Sequence, residues 1–168
     1  MLIADLSRAE SLDFVARARL GRLGCARGLQ PYVVPFSFAY REDHLYSCSA
    51  VGKKIEWMRN NPLVCVQADE IVDRQAWTSV VIFGTYEELP DTPEVDGEIV
   101  GPRSLRTLAY QLLQQQPDWW EPAFVKTIPS EQRPLVPIYF RISIDEITGH
   151  QAVAATSSTR SAPHSGAI

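Results

Sequence analysis

Cysteine is scarce in this chain of 168 residues. Cys25, Cys48 and Cys65 lie far apart and form no CxxC pair. That spacing supports neither a disulfide framework nor a zinc site, and a reducing cytoplasm is the expected compartment. Histidine is equally sparse. His44 falls in a tight turn, His150 follows the last strand and His164 lies near the C-terminus, so no Ser-His-Asp or Cys-His arrangement can be argued from spacing. Positive charge is in deficit, with 16 Lys and Arg against 20 Asp and Glu and a pI near 5.4. A general nucleic-acid surface would concentrate basic residues instead, so no nucleic-acid partner is expected. Long apolar runs are missing, and none approaches the roughly 18 residues of a membrane span. The opening MLIADLSRAES has no basic n-region and does not read as a signal peptide. A Walker A loop, GxxxxGK[ST], is absent too.

What remains is 45% hydrophobic and 21% charged, enough for one domain over residues 1–150 with a sizeable core. The Ser/Thr/Ala-rich stretch over 151–168 has no periodicity and is expected to be a disordered tail. Ser7 and Glu10 have capping-box spacing, predicting a helix from about Ser7 to Ala18. Strands are predicted at Leu20–Ala26, Tyr32–Tyr40, Leu45–Ser49, Leu63–Asp69, Trp77–Leu89 and Ile138–Ile147. Pro35 cannot donate to a ladder, so its strand must there form an edge, a bulge or a docking place. A further helix runs from about Arg103 to Pro117, with Leu105, Leu108 and Leu112 on one face. Six strands with hairpin-length connections predict a mainly β (α+β) domain, a six-stranded antiparallel barrel with a few flanking helices.

The stretch SAVGKKIEWMRNNP, from Ser49 to Pro62, carries the chemistry. It predicts a short helix with Ile55 and Met58 on one face, closed by Asn61-Pro62. A helix N-terminus carries about half a positive charge and attracts anions. Here Lys53 and Lys54 occupy it, after a loop of small residues (Ser49, Ala50, Gly52). Free amides, helix dipole and two ammonium groups make a phosphate-sized site, against the plainer reading of two solvated lysines.

The string LYSCSAVGKKIEWMRNNPLVCV resembles the pyridoxamine 5′-phosphate oxidase-like superfamily of FMN-binding split barrels. RLGCARGLQPYVVPFSFAY before it and TSVVIFGTYEEL after it agree in order and spacing. The resemblance covers about Arg17 to Leu89, and more loosely the closing strand with Ile147–Gly149. It implies that Lys53 and Lys54 grip the FMN phosphate, with Ser47 and Cys48 beside the phosphate and ribityl chain. It implies further that the backbone of Val34, Pro35, Phe36 and Ser37 flanks the flavin ring, and that Ser79 touches the cofactor. For Phe36 and Phe38 the residues themselves favour barrel core over ring stacking. A homodimer with flavin at the interface also follows from the resemblance.

Tyr32 and Ser37 stand where true pyridoxamine phosphate oxidases carry Arg and Lys, so vitamin B6 oxidation is not implied. VPxxFxY and GKKIE resemble the 5-nitroimidazole reductase-like branch in particular. That branch usually has a histidine where this chain has Cys48. The functional expectation is an FMN-dependent oxidoreductase acting on a small molecule with electrons from a nicotinamide donor; the catalytic residues are unknown. The alternative is a non-enzymatic flavin- or haem-binding module for storage or sensing. Trp119 and Trp120, large rings between two prolines, are assigned to a subunit contact or a cofactor lid.

Overall fold

A computed structural model describes residues 2–90, 105–116 and 137–153. Trp119, Trp120 and the stretch 154–168 lie outside the described residues. Mostly antiparallel strands form the fold, with three described helices against them: β1 (Leu2–Leu6), α1 (Arg8–Arg17), β2 (Leu20–Arg27), β3 (Gln30–Ser37), β4 (Ala39–Arg41), β5 (His44–Ser49), α2 (Lys53–Asn60), β6 (Leu63–Asp73), β7 (Ala76–Leu89), α3 (Leu105–Gln114), β8 (Ile138–Ser143) and β9 (Glu146–Val153). The strand order is β3-β2-β6-β7-β8-β5-β4, and β9 pairs with β7 and β1. The path does not close, because β3 and β4 are its two ends. This is a split barrel.

The described strands number nine, where six were expected. Two expected strands are each broken in two. Tyr32–Tyr40 splits into β3 and β4 at Phe38, whose N–H donates to the Arg19 carbonyl at 3.0 Å. Ile138–Ile147 splits at Ile144 and Asp145, where the chain leaves β5 for the other half of β7. At this crossing the Ile144 N–H donates to the Asp43 carbonyl and the Asp145 N–H to the Phe83 carbonyl, at 2.9 and 3.0 Å. β1 was not expected, and it pairs with β9 from Leu2–Val153 to Leu6–Gly149. β9 thus runs to Val153, so residues 151–153, expected in the tail, lie in a strand.

β7 joins the two halves. Its first part pairs with β6 and β9, and its last four residues, Tyr86 to Leu89, pair with β8. Gly84 sits at the bend, where a Cβ would overlap the Ser143 carbonyl oxygen and crowd Ile142. Inside, Leu23, Leu45, Val66, Ile82, Phe140 and Ile142 are fully buried in the main core. Each such side chain stabilises the fold by about 1.5–3 kcal/mol over its exposed state. A smaller cluster under α3 gathers Ala39, Tyr46, Leu89, Ala109, Leu113 and Tyr139. Both arms of the Ser7–Glu10 capping box form at the start of α1. No described helix is long and apolar enough to cross a membrane.

Candidate functional site

Helix α2 is held firmly at one end and left open at the other. Arg59 in its last turn forks onto Glu88 of β7, with N–O distances of 2.8 and 2.7 Å. Tyr86 also donates to Glu88. This grip by Arg59 holds the Glu88 carboxyl below its usual range, while burial pushes the Tyr86 hydroxyl up. Asn61 closes the helix, its N–H donating to the Trp57 carbonyl at 2.8 Å and its side chain reaching the Ala26 carbonyl. Ile55 and Met58 are fully buried, as the predicted helical face requires. At the N-terminus the cap is Gly52, in extended backbone, and no described side chain satisfies the first amides.

The two lysines at that open end differ. Lys53 is exposed, with its ammonium 4.7 Å from the Tyr32 ring centre and 4.7 Å from that of Trp57. Lys54 is half-buried. Desolvation lowers its pKa, against opposing contributions from Cys48 and Cys25. Cys25 is buried beside both lysines, and burial raises its thiol despite them. Arg27, the last residue of β2, lies over the other aromatic of the pair, 5.8 Å from the Trp57 ring centre. Arg27, Lys53 and Lys54 make no ion pair among the described residues, whereas Arg8, Arg22, Arg41, Arg59 and Arg141 all do. Arg27 and Trp57 were missed in the sequence. Trp57 was legible as the i+4 neighbour of Lys53, but only the β2–β3 register carries Arg27 there.

Strand β3 supplies a free edge beside this cluster. Among the described strands it pairs with β2 alone, in register from Leu20–Ser37 to Arg27–Gln30. Because Phe38 bonds Arg19, the alternation of an antiparallel ladder turns the backbone groups of Phe36 and Val34 toward β2. Those of Val33, Pro35 and Ser37 face outward. Pro35 therefore forfeits no ladder bond. Phe36 and Phe38 are buried, 5.4 Å apart between ring centres, in agreement with the core reading. Ser47 is buried too, and its hydroxyl donates to the Ser37 carbonyl at 2.7 Å. Cys48 follows at the half-buried end of β5, opposite Tyr139.

Lys53, Lys54, Cys48, Ser47 and the β3 edge thus gather around the split. Ser79 stands apart from them. It lies on the outer face of β7, accepts from Gln67 at 3.3 Å and sits opposite Asp69 and His150 on the neighbouring strands. No described group of His, Cys, Asp and Glu is arranged to hold a metal ion.

Among the described residues, an open antiparallel barrel with an uncapped helix end, three cations without an ion pair and a free strand edge at its split defines a class: small split-barrel proteins. The family model described as pyridoxamine 5′-phosphate oxidase matches residues 7–151. The chain belongs to that family. It is similar to an uncharacterized protein of Rhizobium meliloti (strain 1021), 40% identical over 155 residues, covering 92% of this chain and 98% of that one. It is also similar to the crystal structure of an FAD-binding protein from Mesorhizobium loti. There the identity is 41%, the TM-score 0.71, and the coverage 92% of this chain and 99% of that one. A third structure, described as a candidate 5-nitroimidazole antibiotic resistance protein of Bacteroides thetaiotaomicron VPI-5482, is 20% identical. It covers 90% of this chain and 89% of its own at a TM-score of 0.60, and it shares the fold.

Proposed function

We propose that this chain is a flavin-nucleotide protein that binds FMN and acts as an oxidoreductase on a small molecule with electrons from a nicotinamide donor. The observation that carries the reading is the open N-terminus of α2, where Lys53, Lys54 and Arg27 gather unpaired beside the free β3 edge. The residues fit the cofactor. A phosphate would answer the helix amides and ammonium groups, and charge-assisted bonds of this kind are about twice as strong as neutral ones. The outward groups of Val33, Pro35 and Ser37 offer donors and acceptors to a planar ring. The bound flavin would supply the redox chemistry, while the protein positions it and limits water.

Membership of the family and likeness to the Mesorhizobium protein support flavin binding. That protein is described as FAD-binding, and it favours FAD as a second reading of the nucleotide. A second copy of this chain is the natural cover for the split. The row Val33, Gly24, Cys65, Phe83 crosses four strands on the outer face, with Val33 62% and Phe83 50% exposed. Symmetric dimers are the commonest way such a face is buried.

The test is spectroscopic. Purified protein should carry flavin absorption, bleach anaerobically with NADH or NADPH, and bind FMN far more tightly than riboflavin. Replacing Lys53 and Lys54 with alanine should abolish that preference. Equal losses for FMN and riboflavin would overturn the phosphate assignment. A Soret band would point to haem, and bound flavin that no donor bleaches would point to a binding module.

A further inference from the structure

We infer that the cavity beneath α1 is a second binding site, one that takes an α-amino acid whose side chain ends in a cation. The inference is independent of the flavin reading. The cavity measures about 740 Å³, within the range of small-molecule pockets, and opens between α1 and the ends of β6, β7 and β9. It lies at the opposite end of β6 from α2: Glu70 is seven residues beyond Leu63, roughly 23 Å at the rise of a strand. Asp13, Phe14 and Arg17 line one wall, and their spacing of three and four sets them on one face of α1. Glu70, Thr78 and Gln151 line the other. These three stand directly opposite one another on adjacent strands, so their side chains leave the sheet on the same side. An acid followed four residues later by a base ordinarily pairs with it on a helix. Asp13 and Arg17 do not. Among the described residues neither of them, nor Glu70, makes an ion pair, and the Thr78 hydroxyl and Gln151 amide are also without a partner. An α-amino acid carries an ammonium and a carboxylate on one carbon, which matches the neighbouring Asp13 and Arg17. Its side chain would pass the apolar surface of Leu6 and Phe14 and set its cation at Glu70. The oxygens of Thr78 and Gln151 would accept from the remaining N–H groups. With Glu10 the lining holds three carboxylates against one guanidinium, so a cationic side chain is favoured over an acidic one.

The plainer alternative is that these are surface charges, each solvated by itself. Calorimetric titration of the full chain separates the two. Free L-lysine is the probe; norleucine lacks its side-chain cation, and cadaverine lacks its carboxylate. L-lysine should bind saturably, and the other two roughly tenfold more weakly. Glu70→Gln should bring L-lysine down to the affinity of norleucine, and Arg17→Gln should bring it down to that of cadaverine. Both positions are exposed, so thermal midpoints without ligand should stay with that of the natural protein. Replacing Lys53 and Lys54 with alanine should leave L-lysine binding unchanged. No saturable heat with L-lysine up to about 10 mM, or binding that neither Glu70→Gln nor Arg17→Gln weakens, would overturn the inference. Loss of L-lysine binding in the Lys53 and Lys54 variant would overturn it too, by moving the ligand to α2. None of these results bears on flavin binding, so either reading can fail while the other stands.

Discussion

The Ser47 hydroxyl donates to the Ser37 carbonyl across the split, tying the middle of β5 to the end of β3 at 2.7 Å. This bond ties the end of β3 to the strand that leads into α2. Ser47→Ala should cost about 1–2 kcal/mol of stability, since a buried donor is lost and its acceptor keeps only solvent. Denaturant unfolding reads the loss directly, and an unchanged midpoint would show that the seam is held elsewhere.

Gly84 should tolerate no side chain. A Cβ there meets the Ser143 backbone oxygen, which is fixed by the crossing from β8 to β9. Gly84→Ala should therefore destabilise by more than about 3 kcal/mol, among the largest effects of any single change. Gly52→Ala is the control: its Cβ would meet nothing within 4 Å and its backbone is extended. Thermal midpoints of the two variants should differ widely, and similar midpoints would sink the argument.

Lys54 trades stability for binding. Its folded pKa lies below the ordinary lysine value, so its charged form is disfavoured by folding and stability from this group rises as pH climbs through that lowered value. Lys54→Met should accordingly raise the unfolding midpoint of the ligand-free protein at neutral pH and weaken FMN binding. In the natural protein FMN affinity should fall as pH rises, starting below the range of an ordinary lysine. Binding that stays flat to pH 10 would remove Lys54 from the anion site.

The β4–β5 turn stores strain that can be relieved. Glu42 and Asp43 both have positive φ, 50° and 57°, in the two-residue hairpin between Arg41 and His44. That geometry favours Asn-Gly. Changing Glu42-Asp43 to Asn-Gly should stabilise by about 1 kcal/mol, even after losing the exposed Arg8–Asp43 and Arg41–Glu42 ion pairs. A raised denaturant midpoint with an unchanged slope would confirm it, and a lowered one would mean that the ion pairs outweigh the strain.

The capping of α1 and the buried face of α2 were legible in the sequence, because each is local, and Pro35 was legible as an edge, a bulge or a docking place. Periodicity said less about where strands end. Phe36, Phe38 and Tyr40 keep one alternation while the chain changes sheets at Phe38, and Ile142 and Ile144 do the same across the β8–β9 crossing. Alternation reports which face is buried and is silent about which neighbour provides the ladder. β1 escaped notice because Leu2 and Ile3 stay exposed and its pairing with β9 spans the whole domain. Lys53 and Lys54 stood out by their placement at a helix start. Arg27 did not, since nothing in the sequence distinguishes it from a surface arginine until the hairpin brings it over Trp57.

An unpaired strand edge invites another chain to join it, and among the described strands β3 presents one next to exposed Val33. Pro35 stands at an outward-facing position of that edge, where an incoming strand would look for an N–H and find none. The residue that leaves room for a planar ligand thus also guards the empty protein against edge-to-edge aggregation, so one imino acid protects the ligand-free form.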